Sequence, residues 1–459
     1  MLVFYVGLLL LALGLFALIQ SAGTRLESPG AGTIATGATA AVYGASALMR
    51  LLVALVLIVL TSLAVGRIFK RVGQPHVMGE VVGGILLGPS LLGVLAPEVQ
   101  AALFPASVLP HIGMHAQLGI ILYMFLVGLE LDLGVIRRSG HVTIAISHAS
   151  IVVPFMIGAL LALTLYPTLA PPQISFTVFA LFLGVSLSVT AFPVLARILT
   201  DRNISRSRMG TIALACAAVD DATAWCLLAV VVSIAHARAS DALITILLTI
   251  AFVTFMLLVA VPVVRRVLPS IERQALSSRT ALTVALVGLL ASAATTEYIG
   301  IHGLFGAFLF GAVIPGRSLL AGQVKQRLED VVAILFLPAF FAFTGMRTEI
   351  GLVNGLSEWM LCLLIVAAAC VGKFGGTFIA ARFVGIPMRD ATALGVLMNT
   401  RGLVELIVLN IGLDMGVLSP KLFTMLVIMA LATTLMTGPL LTRLLRREPW
   451  QELSAAAGS

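Results

Sequence analysis

Residues 211–232 read TIALACAAVDDATAWCLLAVVV. The run is apolar and long enough to cross a bilayer as a helix. It nevertheless carries two adjacent carboxylates, Asp220 and Asp221, near its middle. A charged side chain at mid-bilayer costs roughly 2.5–3.5 kcal/mol on insertion scales, so it is rarely kept without a use. Neighbours on a helix point about 100° apart. One aspartate can therefore hold a cation or a proton while the other meets a counter-charge. The competing reading is a structural pair neutralised by a buried base.

The rest of the chain is of the same kind. Its 459 residues are 60% hydrophobic and only 10% charged, with a mean hydropathy of +1.12. No water-soluble core needs that much apolar surface, so the fold class is an all-α polytopic membrane protein. The net charge of +8 sits mainly between apolar runs, as the positive-inside rule has it, and does not call for nucleic acid. Cys216, Cys226, Cys362 and Cys370 lie inside apolar runs without metal-ligand spacing and read as small core residues.

Thirteen spans are expected, at about 48–66, 79–93, 113–133, 141–165, 173–199, 211–232, 241–264, 280–298, 301–316, 331–346, 357–383, 388–412 and 418–441. Residues 1–20 form one further apolar run, read as an N-terminal transmembrane helix or a signal segment, and 21–46 as an external flexible linker. Residues 446–459 read as a short cytoplasmic tail. Basic loops recur on one side, among them Arg67, Lys70 and Arg71, then Arg202, Arg206 and Arg208, and finally RLLRRE after the last span. That side, with the C-terminus, is expected to face the cytoplasm. Glu80 reads as a snorkelling or capping residue. His111 and His115, spaced i, i+4, read as ordinary loop histidines rather than a metal site.

Two spans are interrupted. SVTAFPVLAR (188–197) contains Pro193, which lacks an N–H and clashes with the preceding turn. The helix should break near Thr190–Phe192. MNTRGLVEL (398–406) sets Asn399, Thr400, Arg401 and Glu405 beside Gly402 in an apolar run. Arg401 and Glu405 have the spacing to neutralise each other. GKFGGT (372–377) puts Lys373 near the centre of a span, the natural partner for a buried aspartate. The span at 241–264 separates two sets of six, which gives the sets opposite orientation. Each set has a broken fifth member. Matching broken segments in inverted halves mark the binding site of a secondary transporter.

GEVVGGILLGPS, VGLELDL, SVTAFPVLAR, VDDATAW, FFAFTGMRT, GKFGGT and MNTRGLVEL, in this order over about residues 48–445, resemble the cation/proton antiporter superfamily. The match is to its second family of bacterial sodium/proton antiporters and plant cation/proton exchangers. The resemblance implies a secondary antiporter in the cell (inner) membrane, not an enzyme, with no cofactor. It would exchange protons for Na⁺, with K⁺ or Li⁺ as other candidates. It further implies a homodimer, in which a mobile core (about 140–235 and 357–445) slides against a dimerisation part (about 47–135 and 280–350), joined by a linker helix at about 241–266. Asp221 matches the residue that binds the cation and the proton. Asp220 matches the neighbour that pairs with the core lysine, here Lys373. The broken helices would cross at Thr190 and Thr400, with Pro193 and Asn399 in the breaks and Arg401 and Glu405 as supporting charges. An Asp–Asp pair with a lysine resembles the electrogenic branch, two protons per cation. The potassium-efflux branch has Gln–Asp and a nucleotide-binding domain, so ligand gating of that type is not expected. A proton-independent cation channel on the same fold is the alternative.

Overall fold

A computed structural model describes residues 39–130, 141–172, 174–202, 204, 207–236, 242–273, 278–316 and 318–445. The unit Met1–Met49 contributes only the first turns of a helix that begins at Thr39, and everything below concerns the unit Arg50–Ser459. Among the described residues the elements are helical. A chain in hydrocarbon must satisfy its backbone polar groups internally, and a helix does so within one segment.

In chain order the helices are α1 (Thr39–Arg71), α2 (His76–Leu87), α3 (Leu109–Glu130), α4 (His141–Leu169), α5 (Phe176–Ser188), α6 (Phe192–Asp201) and α7 (Arg208–His236). Next, α8 (Ala242–Phe255) runs through a π turn at Met256–Ala260 into α9 (Val261–Arg273), and α10 (Ser278–Ile299) and α11 (Gly303–Val313) follow. Two more helices contain π turns: α12 (Leu319–Val331) continues through Val332–Phe336 into α13 (Leu337–Met346), and α14 (Leu356–Cys370) through Val371–Gly375 into α15 (Gly376–Phe383). Last come α16 (Met388–Met398), α17 (Leu403–Asp414) and α18 (Pro420–Leu445).

Among the described residues ten helices are long and apolar enough to cross a membrane, and α16 with α17, bent by 40° at their break, make an eleventh. The apolar helices α5 and α11 are shorter. This is a multi-span membrane protein. The run expected as one span at 173–199 is two helices, α5 and α6, with Val189 and Ala191 extended between them. The helix α12 is continuous with the span expected at 331–346 through its π turn.

The largest buried apolar cluster draws on α3, α5, α7, α11, α13, α17 and α18 and surrounds the polar centre described below. Elsewhere backbones touch. A Cβ on Gly84 of α2 would lie 2.5 Å from Ala342 Cα of α13, an approach that only small residues allow.

Several local expectations differ from what is found. The helix α1 already includes the last residues of the expected linker. Cys226 is exposed on α7, whereas Cys216 and Cys362 are buried. His111 and His115 lie within α3, not in a loop, and His115 stacks on Phe336 with ring centroids 4.6 Å apart. Glu80 does not snorkel: it is buried and pairs with His76 Nε2 at 3.3 Å. The expectations for residues 1–20 and 446–459 lie outside the described residues.

Candidate cation and proton site

The aspartates sit on α7, with Asp220 fully buried and Asp221 3% exposed. Their surroundings differ completely. Asp220 Oδ1 accepts from Ser147 Oγ at 2.6 Å. Its Oδ2 accepts from Ser150 Oγ at 2.6 Å, Thr190 Oγ1 at 2.9 Å and Lys373 Nζ at 3.0 Å. These donors fill the lone-pair sites of one carboxylate. By contrast, neither Asp221 oxygen has a hydrogen-bond partner. The backbone N–H of Phe192, in the first turn of α6, and the Tyr123 hydroxyl on α3 are within electrostatic reach of Asp221, but neither closes a hydrogen bond to it. A buried, unpartnered carboxylate is uncommon in a native protein and calls for an explanation.

Lys373 is fully buried. Besides Asp220 it donates to Ser150 O at 2.8 Å and Ser188 O at 2.6 Å, which uses all three of its protons. The motif around it explains how it gets there. Lys373 lies in the π turn Val371–Gly375, a local widening of the helix often found at functional sites. A Cβ on Gly372 would lie 2.8 Å from Pro154 Cα, and one on Gly376 would lie 2.8 Å from Ala149 O. The two glycines let the turn lie directly against α4, level with Ser150.

The breaks in α5/α6 and α16/α17 meet. Ala191 N donates to Thr400 O at 3.1 Å, and Thr190 Oγ1 also reaches Met398 O at 3.3 Å. Gly402 closes the crossing, since a Cβ there would lie 2.6 Å from Val194 Cγ2. Pro193 lies in the first turn of α6, where its missing N–H costs nothing.

Arg401 and Glu405 are both fully buried and bonded at 2.7 Å, but the pair is not self-contained. Arg401 Nη1 also donates to Ser186 O at 2.7 Å and Nη2 to Leu187 O at 2.6 Å. Together with Lys373 on Ser188 O, two cations cap the last three carbonyls of α5. That is where the helix leaves carbonyls unsatisfied and its dipole is negative. Glu405, in the first turn of α17, sits at a positive helix end.

The structure thus brings Asp220, Lys373, Thr190, Thr400, Arg401 and Glu405 into one network. Asn399 is in the break, but its amide goes to Cys370 Sγ at 3.5 Å. Sequence reasoning missed Ser147 and Ser150, which hold Asp220, and the carbonyls of Ser186, Leu187 and Ser188. The free carboxylate oxygens of Asp221 are hard ligands of the kind that suit a hard monovalent ion.

Residues 53–447 match the family described as sodium/hydrogen exchanger, transmembrane. The chain is 42% identical over 399 residues to the Na(+)/H(+) antiporter NhaS4 of Synechocystis sp., covering 86% of this chain and 97% of that protein. It is 41% identical over 404 residues to Cation/H(+) antiporter 20 of Arabidopsis thaliana, covering 85% of this chain and 48% of that one. It is 35% identical over 384 residues to K(+)/H(+) antiporter 1 of Saccharomyces cerevisiae, covering 81% and 44%. The chain therefore spans most of the cyanobacterial relative but about half the length of the plant and yeast ones. The sodium proton antiporter MjNhaP1 of Methanocaldococcus jannaschii shares the fold, with a TM-score of 0.64 at 13% identity over 87% of this chain and 97% of that one. The chain belongs to the transmembrane sodium/hydrogen exchanger family, a family of cation/proton antiporters.

Proposed function

We propose that this chain exchanges protons for a monovalent cation at Asp221 by alternating access. The observation that carries the reading is the contrast between neighbours: Asp220 is saturated by internal donors, and Asp221 has none. A carboxylate whose lone pairs are all engaged has nothing to offer an ion. One without partners binds either a proton or a cation, and the two compete.

Competition at one carboxylate makes exchange obligatory. A bare charge carried through the bilayer centre costs roughly 2.5–3.5 kcal/mol on insertion scales. The unloaded site would then cross on the order of a hundredfold less often than the loaded one. No separate gate is needed. The Phe192 N–H near Asp221 and the crossing at Thr190 and Thr400 offer the dipoles that such a site uses.

Na⁺ is the preferred cation in this reading, with K⁺ or Li⁺ as the other candidates, and transport is electrogenic. Thirteen core helices form two inverted six-helix repeats. The core (about 140–235 and 357–445) moves like an elevator against a dimerisation part (about 47–135 and 280–350), joined by a linker helix at about 241–266. The protein works as a homodimer in the cell (inner) membrane with its C-terminus in the cytoplasm.

The test is reconstitution in liposomes with an internal pH dye, imposing Na⁺, K⁺ or Li⁺ gradients in turn, with Asp221→Asn as the comparison. Proton movement driven by a cation and lost in the variant supports the reading and names the ion. A potassium–valinomycin clamp in the Na⁺ and Li⁺ runs reports charge movement. Cation flux without proton movement would replace antiport by a channel.

A further inference from the structure

A cleft of about 390 Å³ lies outside the aspartate network, where the α1–α2 turn approaches α6 and α18. Three cations line it, Lys70, Arg197 and Arg202, and none of its described lining residues is acidic. The cleft is built rather than incidental. Arg202 is pinned to α18, with Nη1 on Thr442 Oγ1 at 2.5 Å and Nη2 on Gly438 O at 3.1 Å. Gln74 reaches the same helix through Leu435 O at 3.2 Å. Gly438 lies where these groups converge, with Gln74 Oε1, Gly73 O and Arg202 Nη2 all within van der Waals reach of its Cβ position.

Two features define what fits. Lys70 is exposed in the basic last turn of α1, and Arg197 is exposed in the middle of α6. Basic pockets between membrane helices at that level bind lipid phosphates, and guanidinium groups match phosphate oxygens in pairs. In the wall, Gln74 Oε1 is buried without a donor. It can be satisfied by a hydroxyl on the ligand. The volume is within the range of small-ligand sites, about 300–1,000 Å³.

We propose that this cleft binds a phosphate ester that carries a free hydroxyl, as in the headgroup of phosphatidylglycerol. Lys70, Arg197 and Arg202 meet the phosphate, and Gln74 Oε1 accepts from the hydroxyl. The bound group ties the α1–α2 turn to α6 and α18. A ligand that binds only the folded form raises its stability by mass action.

The experiment uses the full chain in detergent, delipidated, with native mass spectrometry and thermal unfolding as readouts. Probes are phosphatidylglycerol, phosphatidylcholine and glycerol 3-phosphate. The expected result is retention of phosphatidylglycerol over phosphatidylcholine, with a higher unfolding temperature. Lys70→Gln/Arg197→Gln should weaken that binding on the order of thirtyfold. Arg265→Gln/Arg266→Gln, with charges on α9 that do not line the cleft, should leave it unchanged. Competition by glycerol 3-phosphate would identify a soluble ester as the ligand. No competition would identify the membrane as the source. Both outcomes keep the phosphate site. Gln74→Leu should weaken phosphatidylglycerol and spare phosphatidic acid, which lacks the hydroxyl. Equal retention of phosphatidylglycerol and phosphatidylcholine would overturn the proposal, as would unchanged binding in the Lys70/Arg197 variant. None of these readouts depends on transport.

Discussion

Removing either charge of the Lys373–Asp220 pair should cost far more than removing both. Both side chains are fully buried, 3.0 Å apart. Breaking a buried pair by deleting one partner costs about 3–5 kcal/mol, because the other charge stays behind uncompensated. Lys373→Met leaves Asp220 with three hydroxyl donors and strands the carbonyls of Ser150 and Ser188. Asp220→Asn leaves an ammonium against those two carbonyls. The double variant carries no charge at all, and its main debt is two unpaired carbonyls at about 1–3 kcal/mol each. Its loss should therefore be about 2–6 kcal/mol, against about 6–10 kcal/mol if the single losses added. Equilibrium unfolding of the four proteins in mixed micelles measures the coupling, expected to be about 4 kcal/mol when like ends of these ranges are compared. Losses that add within about 0.5 kcal/mol would refute the view that the two side chains neutralise each other.

Asp221→Asn should behave in the opposite way to Asp220→Asn. It breaks no hydrogen bond, so unfolding stability should equal or exceed that of the unmodified chain while proton–cation exchange in liposomes disappears; a loss as large as that of Asp220→Asn would mean Asp221 is a structural anchor. In the π turn, Gly376→Ala puts a Cβ 2.8 Å from Ala149 O, whereas a Cβ at Gly375 meets nothing within 4 Å. Gly376→Ala should cost about 1–3 kcal/mol of overpacking. Gly375→Ala should be neutral or gain about 0.5–1 kcal/mol from helix propensity, both read by thermal unfolding. Gly402→Ala drives a Cβ to 2.6 Å from Val194 Cγ2 and should impair both stability and exchange. Adding Val194→Ala should restore much of the stability; no rescue would mean that Gly402 is needed for its backbone rather than its size.

How much of this could be read in advance depended on how far apart the partners lie in the chain. Asp220, Asp221 and Lys373 stand out because charges in apolar runs are costly, and the break at Thr190 follows from Pro193. Ser147 and Ser150 do not stand out. Hydroxyls in membrane helices commonly bond back to their own helix, and Ser150 Oγ does so, to Ser147 O at 2.9 Å; only the packing of α4 on α7 turns it also toward Asp220. The π turn at Val371–Gly375 has no sequence period of its own. Arg401 was legible as half of a local pair with Glu405, yet its decisive bonds reach Ser186 and Leu187, more than 200 residues away in sequence.

Those distant bonds set the charge balance of the site. The carbonyls ending α5 would otherwise present unsatisfied negative dipoles in the core, and Arg401 and Lys373 cap them. Counting formal charges, Lys373 and Arg401 stand against Asp220, Glu405 and Asp221, so the buried network is short of one positive charge. One monovalent cation or one proton restores neutrality, and both at once would overshoot. In the proposed exchange, mutual exclusion would follow from this charge count before any ligand geometry is considered. Electrogenic exchange of two protons per cation needs a second proton carrier, and the Asp220–Lys373 pair supplies one only if it opens during the cycle. Opening would expose the buried charges whose separation the double-variant cycle measures, so the coupling energy sets a lower bound on what a second proton must repay.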